Sequence, residues 1–271
     1  MTVGEAIRDA QGWLTSSDIG SPRLDAELLL GHILGHERTW LLAHDETELT
    51  CEQRQMYAMI IQKRTLRIPL VHLTGRREFY GLDLTITPDV LTPRAETEQM
   101  VDWVVKYAPK NSHLIDIGTG SGAIAIAIAV HRSDLKVTGT EVSAPALKVA
   151  HGNATEHDVP LTLIESDLWD RVDGKFDTIV ANLPYLRDDA RSELMEEVKY
   201  EPELALFGGH DGLDLYRRLL VDIPSHLSPG GYLFTECDPW QHEHLIAKAA
   251  KYGLRVVEQG YFILGFQLRP E

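Results

Sequence analysis

Four consecutive residues, Asn182-Leu183-Pro184-Tyr185, follow the apolar run Ile179-Val180-Ala181. The run reads as a buried strand. It delivers an amide and a phenol ring at its end, on a turn stiffened by Pro184. The Asn182 side-chain oxygen and the Leu183 carbonyl are two acceptors. Lying in one plane, they can hold both hydrogens of a flat amine or amide NH2 group. The lone pair of such a nitrogen is delocalised and attacks poorly. Gripping its hydrogens fixes the lone-pair axis and favours pyramidalisation, while Tyr185 can stack on or flank the planar group. The chemistry on offer is orientation and electrostatics, with no strong base needed in advance. Taken alone the tetrapeptide is an ordinary turn after a strand, and its weight comes from what precedes it.

What precedes it is a glycine loop. The strand-like His113-Leu114-Ile115-Asp116-Ile117 runs into Gly118-Thr119-Gly120-Ser121-Gly122, and an Ala/Ile-rich helix follows. Glycines permit positive φ and let a ligand approach the backbone. With Ala123 as the last small residue the spacing also matches the dinucleotide fingerprint, so NAD is a candidate, and a loop without ligand is the plainer alternative. Asp116, two positions before Gly118 and at the strand end facing the loop, argues against a dinucleotide. A carboxylate there repels a pyrophosphate and suits a cationic ligand without phosphate. S-adenosylmethionine, with its ammonium and sulfonium, fits, and a charge-assisted contact of this kind contributes roughly 1.5–3 kcal/mol. Glu141 ends the next strand, roughly twenty residues beyond the loop, where an acid can chelate two ribose hydroxyls. After the following strand, Asp167 can accept an adenine amine and Leu168 can offer its backbone N–H to the ring. A surface glutamate and a turn-forming aspartate are the plainer readings of these two acids. The three positions fall at the carboxyl ends of successive strands, where open α/β sheets bind ligands. The expected cofactor set is Asp116, Gly118, Thr119, Gly120, Ser121, Gly122, Glu141, Asp167, Leu168 and Asn182; the expected catalytic set is Asn182, Leu183, Pro184 and Tyr185.

The elements that must position these residues can be read from periodicity. From Pro93 onward, strand-like and helix-like segments alternate, which predicts a largely parallel sheet with helices on both faces. The two final strands, Arg255–Gly260 and Phe262–Pro270, lie close in sequence and are expected to be antiparallel. Residues 1–70 lack alternation and read as a small helical bundle. Thr2/Glu5 and Thr50/Gln53 have capping-box spacing. Ser21-Pro22 looks like an N-cap with proline in the first helical position, running to Gly35, and Pro69 is expected to end the helix after Thr50. Between the two parts, Leu82, Leu84 and Ile86 alternate with polar residues, as in a strand or hairpin connecting domains. Thr92-Pro93 is expected to open the helix that carries Glu96 and Glu98.

Bulk properties narrow the classes. Hydrophobic residues make up 44% of the 271 residues, enough for a real core. The net charge of -15 is the wrong sign for a duplex-binding footprint and suits a basic partner, such as a ribosome-associated or RNA-like factor. Cys51 and Cys237 lack CxxC spacing and read as reduced thiols. No leader or bilayer-length apolar run is evident, so a soluble cytoplasmic protein is expected. In Asp238-Pro239-Trp240-Gln241-His242-Glu243-His244 the histidines diverge on a helix, so a solvated helix start is expected and no metal site.

These residues together resemble the release-factor glutamine N5-methyltransferase (PrmC/HemK) family. The resemblance covers nearly the whole chain: the helical N-terminal part, the stretch from Gly75 to Glu98, "DIGTGSGAIAIA", "NLPY" and "YEPELALFGGHDGLDLYRRL". It implies a Rossmann-like class I methyltransferase sheet, mostly parallel with the last strand antiparallel, behind a small helical bundle and a β-hairpin. It implies residues 1–74 as a domain docking the substrate, 75–92 as the hairpin linker and 93–271 as the methyltransferase domain. The implied reaction moves a methyl group from S-adenosyl-L-methionine to the side-chain amide nitrogen of the glutamine in the Gly-Gly-Gln loop of peptide chain release factors. S-adenosyl-L-homocysteine is the other product, and the setting is translation termination. A monomer with no direct nucleic-acid or membrane partner is expected. This sequence departs from the family pattern at Leu183, where proline is usual, at Ala95, also in place of proline, and at Glu141, where aspartate is commoner. Only the carbonyl of residue 183 is required by the proposed grip.

Three rivals share part of the pattern. An adenine-N6 methyltransferase would use the same loop and a similar clamp, because a flipped adenine also presents a planar NH2; the charge and the lack of a basic DNA-reading insertion oppose it. A non-catalytic adaptor that keeps the donor fold is opposed by the intact Asp116, Gly118, Gly120, Asn182 and Tyr185. An NAD-dependent oxidoreductase is opposed by Asp116 and by the lack of an evident acid or base for hydride transfer.

Overall fold

The structure is a computed structural model describing residues 1–270. Chain packing divides it into a helical unit, Met1–Arg76 with Met195–Tyr200, and an α/β unit holding Arg77–Leu194 and the chain from Glu201.

In the helical unit, the Thr2 hydroxyl accepts the Glu5 N–H and the Glu5 carboxylate accepts the Thr2 N–H, starting α1 (Val3–Ser16) with the predicted reciprocal box. α2 (Pro22–Leu34) opens on proline and stops at left-handed Gly35, but Ser21 makes no side-chain cap bond. A short α3 (Arg38–Ala43) follows. α4 (Cys51–Thr65) begins with the Thr50/Gln53 box. It ends before the expected Pro69 because Arg67 turns left-handed (φ 67°), its guanidinium donating to the Asp18 carbonyl at 2.6 Å and to Glu197 at 2.8 Å. Pro69 instead caps α5 (Leu70–Thr74). Leu14, Leu29, Leu30, Leu41 and Ile61 form the core of this unit. A buried Arg64–Asp25 pair at 2.7 Å stands beside it, and Arg64 also reaches Glu197 at 3.1 Å.

The α/β unit starts within a hairpin, β1 (Arg76–Phe79) and β2 (Leu82–Thr85), turned through left-handed Tyr80 and Gly81. A 3-10 turn at Ala95–Thr97 precedes α6 (Glu98–Tyr107), so the helix starts later than Thr92-Pro93 suggests. Then come β3 (His113–Ile117), α7 (Ala123–His131), β4 (Lys136–Glu141), α8 (Ala144–Glu156), β5 (Thr162–Glu165), β6 (Phe176–Ala181), α9 (Asp214–His226), β7 (Leu227–Glu236), α10 (His242–Ala250), β8 (Leu254–Gln259) and β9 (Ile263–Leu268). The hairpin, expected as a connector, is stitched to α8: Asn153 accepts the Thr85 N–H at 2.8 Å and donates to the Thr85 carbonyl at 3.0 Å.

The seven-stranded sheet has the order β5-β4-β3-β6-β7-β9-β8. β3 to β7 are parallel, and β9 lies antiparallel between β7 and β8. Ile115, Ile117 and Ile179 pack with Tyr216, Leu219 and Ile223 of α9 and Leu245 of α10. The chain runs outward from β3 to β5 and then returns to β6 on the other side of β3. The loops after β3 and β6 therefore flank the switch point, where such sheets bind ligands. His242 differs from expectation: it is buried at the start of α10, and burial lowers its pKa. Among the described residues no helix is long and apolar enough to cross a membrane.

Candidate active site

At the switch point Gly118, Gly120 and Gly122 all take left-handed φ, 76°, 56° and 81°, which L side chains rarely adopt. The Gly118 and Thr119 N–H groups both donate to the Thr140 carbonyl, at 2.9 and 2.8 Å. The Gly122 N–H donates to the Thr119 carbonyl at 2.8 Å, and the Gly120 N–H to the Glu141 carboxylate at 2.9 Å. A phosphate-binding loop needs those donors free. The structure thus weighs against a pyrophosphate ligand through committed N–H groups, a reason the sequence did not offer. Ser121 is buried and its carbonyl accepts from Asn153 at 2.9 Å, which ties the loop to α8.

The loop walls a cavity of about 250 Å³. A Cβ at Gly120 would meet no heavy atom within 4 Å, so the missing side chain leaves that wall open. Glu141 lines the cavity with both carboxylate oxygens anchored, one by Gly120 and the other by the Ser143 N–H at 2.9 Å. Asp167 and Leu168 line it too. Asp167 accepts from Arg218 at 2.9 Å, a partner the sequence reading missed, and Leu168 takes a left-handed φ of 50°. Asp116 sits elsewhere. It is 1% exposed beneath the loop and is not part of the cavity wall. One of its oxygens accepts the Thr119 hydroxyl at 2.7 Å, and the other is buried without a hydrogen-bond partner. Burial pushes its pKa up to about 7, with the Glu141 charge adding to the rise. The residues suit a ligand with a diol beside Glu141 and a planar base near Asp167 and Leu168.

Asn182, Leu183 and Pro184 form the wall across from the loop, where a Cβ on Gly118 would lie 3.0 Å from the Leu183 side chain. The Asn182 Nδ2 lies 3.5 Å from the Thr97 hydroxyl oxygen. The Thr97 hydroxyl donates to Glu236 at 2.6 Å. Tyr185 does not line the cavity; its hydroxyl donates to the other Glu236 oxygen at 3.1 Å, and burial raises its pKa. The sequence reading cast Tyr185 as a stacking platform, whereas its polar end is engaged in this buried network. The Leu183 N–H donates to the Tyr216 hydroxyl at 3.1 Å. Tyr216 has one proton and gives it over the shorter contact to the Glu236 carbonyl, lying 3.3 Å from the Leu183 carbonyl. The Leu183 carbonyl therefore keeps its capacity to accept.

Matches to known proteins bear on this arrangement. Residues 5–75 match the profile of the PrmC N-terminal domain, and residues 97–200 that of the methyltransferase small domain. A release factor glutamine methyltransferase of Koribacter versatilis is 37% identical over 87% of this chain and 86% of its own. One from Moorella thermoacetica is 41% identical over 87% of this chain and 85% of its own. The chain belongs to the release factor glutamine methyltransferase family. Its sheet also resembles that of a T. thermophilus 16S rRNA N2 G1207 methyltransferase solved with AdoMet and guanosine. The TM-score is 0.54 at 15% identity, covering 72% of this chain and 50% of the other, a likeness of fold.

For this glutamine methyltransferase family member, sequence reasoning missed Thr97, Tyr216, Arg218 and Glu236. Glu236 left a usable signal. It ends the strand beside β6, and Ala181 pairs with Thr235, so register sets Glu236 next to Asn182. Thr97 had a weaker one, lying between the charged residues Glu96 and Glu98 that drew attention instead. Arg94 pairs with buried Glu201 at 2.6 Å. Pro202, Leu204 and Ala205 line the cavity.

Proposed function

We propose that this protein transfers a methyl group from S-adenosyl-L-methionine to the side-chain amide nitrogen of the glutamine in the Gly-Gly-Gln loop of peptide chain release factors. The observation that carries the reading is the end of β6: the Asn182 amide, with its NH2 toward Thr97, beside a Leu183 carbonyl that keeps its capacity to accept. The Asn182 oxygen and the Leu183 carbonyl each accept one hydrogen of the substrate amide and hold its plane. Pro184 keeps the two acceptors fixed by locking its own φ. Gly118 to Gly122, Glu141, Asp167 and Leu168 hold the donor, with Asp116 bracing the loop from beneath through the Thr119 hydroxyl. When bound, S-adenosylmethionine supplies an electrophilic methyl group on a sulfonium. Preorganised acceptors of this kind act by orientation and electrostatics.

The names of the relatives support release factors as partners, and residues 1–74, overlapping the 5–75 match to the PrmC N-terminal profile, are the part we assign to docking them. The protein acts as a monomer in the cytoplasm, where translation factors work. The test is incubation with labelled donor and purified release factors, then mass mapping. A single methyl on the glutamine of Gly-Gly-Gln is expected. Label on duplex DNA adenine, with none on any release factor, would overturn the reading.

A further inference from the structure

Asn182 can meet the cavity with either end of its carboxamide, and only the oxygen end can accept a substrate N–H. Nothing within residue 182 makes that choice. Its NH2 has the Thr97 hydroxyl oxygen as a hydrogen-bond partner at 3.5 Å, and Thr97 lines the cavity beside it. A threonine hydroxyl carries one proton and can donate or accept. Here the proton is committed, because Thr97 donates to the Glu236 carboxylate at 2.6 Å, with Thr97 and Glu236 buried at 3% and 2% exposure. An oxygen whose proton is given away toward a carboxylate offers only lone pairs in other directions. It welcomes an N–H and repels a carbonyl oxygen. Glu236 is itself held, its second oxygen accepting the Tyr185 hydroxyl at 3.1 Å. The chain of donors thus runs Asn182 to Thr97 to Glu236, all in one direction.

Resting on the glutamine reading above, we infer that Thr97 and Glu236 are positioning residues: together they set the direction of the Asn182 carboxamide so that its oxygen, and not its NH2, faces the substrate amide. Without the acceptor at Glu236, Thr97 keeps a proton to give and draws the Asn182 oxygen toward itself. The cavity then meets an NH2 group, which repels the hydrogens of the substrate.

Two substitutions at one site separate this role from packing. Thr97→Val keeps the shape of the side chain and removes the hydroxyl. Thr97→Ser keeps the hydroxyl and removes the methyl group. Positioning predicts that Thr97→Val lowers kcat on a release factor by about 10–100-fold, the usual effect of removing an outer hydrogen-bonding partner, and leaves donor affinity by calorimetry within twofold. Thr97→Ser stays within about threefold of wild type in kcat, on the same grounds. The reverse order, with Val active and Ser impaired, would assign Thr97 to packing and overturn the inference. A second readout needs no turnover: the side-chain amide signals of Asn182 in a 15N-asparagine spectrum. They should move in Thr97→Val and in Glu236→Leu, and hold in Thr97→Ser. Unchanged signals in both the Val and Leu variants overturn the inference by themselves. If wild-type protein methylates no release factor, the substrate reading falls, and the spectrum alone decides the direction of the amide.

Discussion

Two buried glutamates, one in each unit, sit in opposite company. Glu27 of α2 is 1% exposed and accepts from Arg23 at 2.8 Å and Arg38 at 2.5 Å. Burial pushes its pKa up, but the two guanidinium groups overcome that and hold it below the usual carboxylate range. Glu236 of β7 is 2% exposed, and among the described residues its carboxylate accepts from two hydroxyls, those of Thr97 and Tyr185. There burial wins and its pKa is raised. The helical unit thus neutralises a buried charge with cations whose own heads reach water. The α/β unit leaves its charge unneutralised in direct contact and uses it to orient neutral donors. A cation in hydrogen-bond contact with Glu236 would compete with Thr97 for its oxygens. The difference teaches that similar burial serves stability in one place and geometry in the other.

The comparison can be broken at several points. The largest effect belongs to the acceptor that this geometry orients. Asn182→Ala should lose about 10²–10³-fold in turnover, as when one preorganised hydrogen-bonding group is removed from an active site, while donor affinity by calorimetry is retained. Full activity in that variant would end the case for the amide grip. Next come the two glutamates. Glu236→Leu should lower kcat by about 10²-fold, the scale of a misplaced catalytic group. Glu27→Ala should leave kcat unchanged and reduce stability by about 1.5–3 kcal/mol, as for hydrogen bonds to charged groups, read by chemical denaturation. Exchange of these two phenotypes would erase the distinction.

A third buried acid sharpens the contrast by pH. The Asp116 pKa is raised to about 7 by burial, whereas in the unfolded chain the carboxyl ionises near about 3.9. Between those values the folded state holds a proton that the unfolded state has lost. Stability therefore declines as pH rises through that window. Asp116→Asn should flatten this stretch of the stability profile of the ligand-free protein, measured by thermal unfolding from pH 5 to 8. A wild-type profile already flat there would refute a neutral buried Asp116. The smallest effect is expected at the surface. Lys199 pairs with Glu196 at 2.5 Å, with side chains 40% and 59% exposed. Lys199→Ala should change stability by less than about 1 kcal/mol, as exposed pairs do.

Much of the molecule was legible in its sequence because the signals were local. The Thr2/Glu5 and Thr50/Gln53 boxes need only residues three apart. The glycines of residues 118–122 need only a backbone that must turn left-handed, and the alternation of strands and helices needs only period. Asn182 and Leu183 at the end of an apolar run announced two acceptors without any fold being known. What sequence misjudged was non-local. Pro69 does not end α4, because Arg67 is captured by Asp18 and Glu197. His242 is not solvated, because α10 turns it inward.

Residue types and spacing by themselves determined that this chain would place an amide, a main-chain acceptor and a glycine loop at strand ends of one α/β sheet. Those features are written in contiguous stretches, where the chemistry of each residue and the period of its neighbours suffice. Only the tertiary structure decided which way the groups face. Thr97, Asn182 and Glu236 are brought together by parallel pairing of β6 with β7 and by the turn before α6. A hydroxyl has no fixed direction until its proton meets an acceptor from a distant part of the chain. The direction of the Asn182 amide is therefore a property of the fold, not of residue 182.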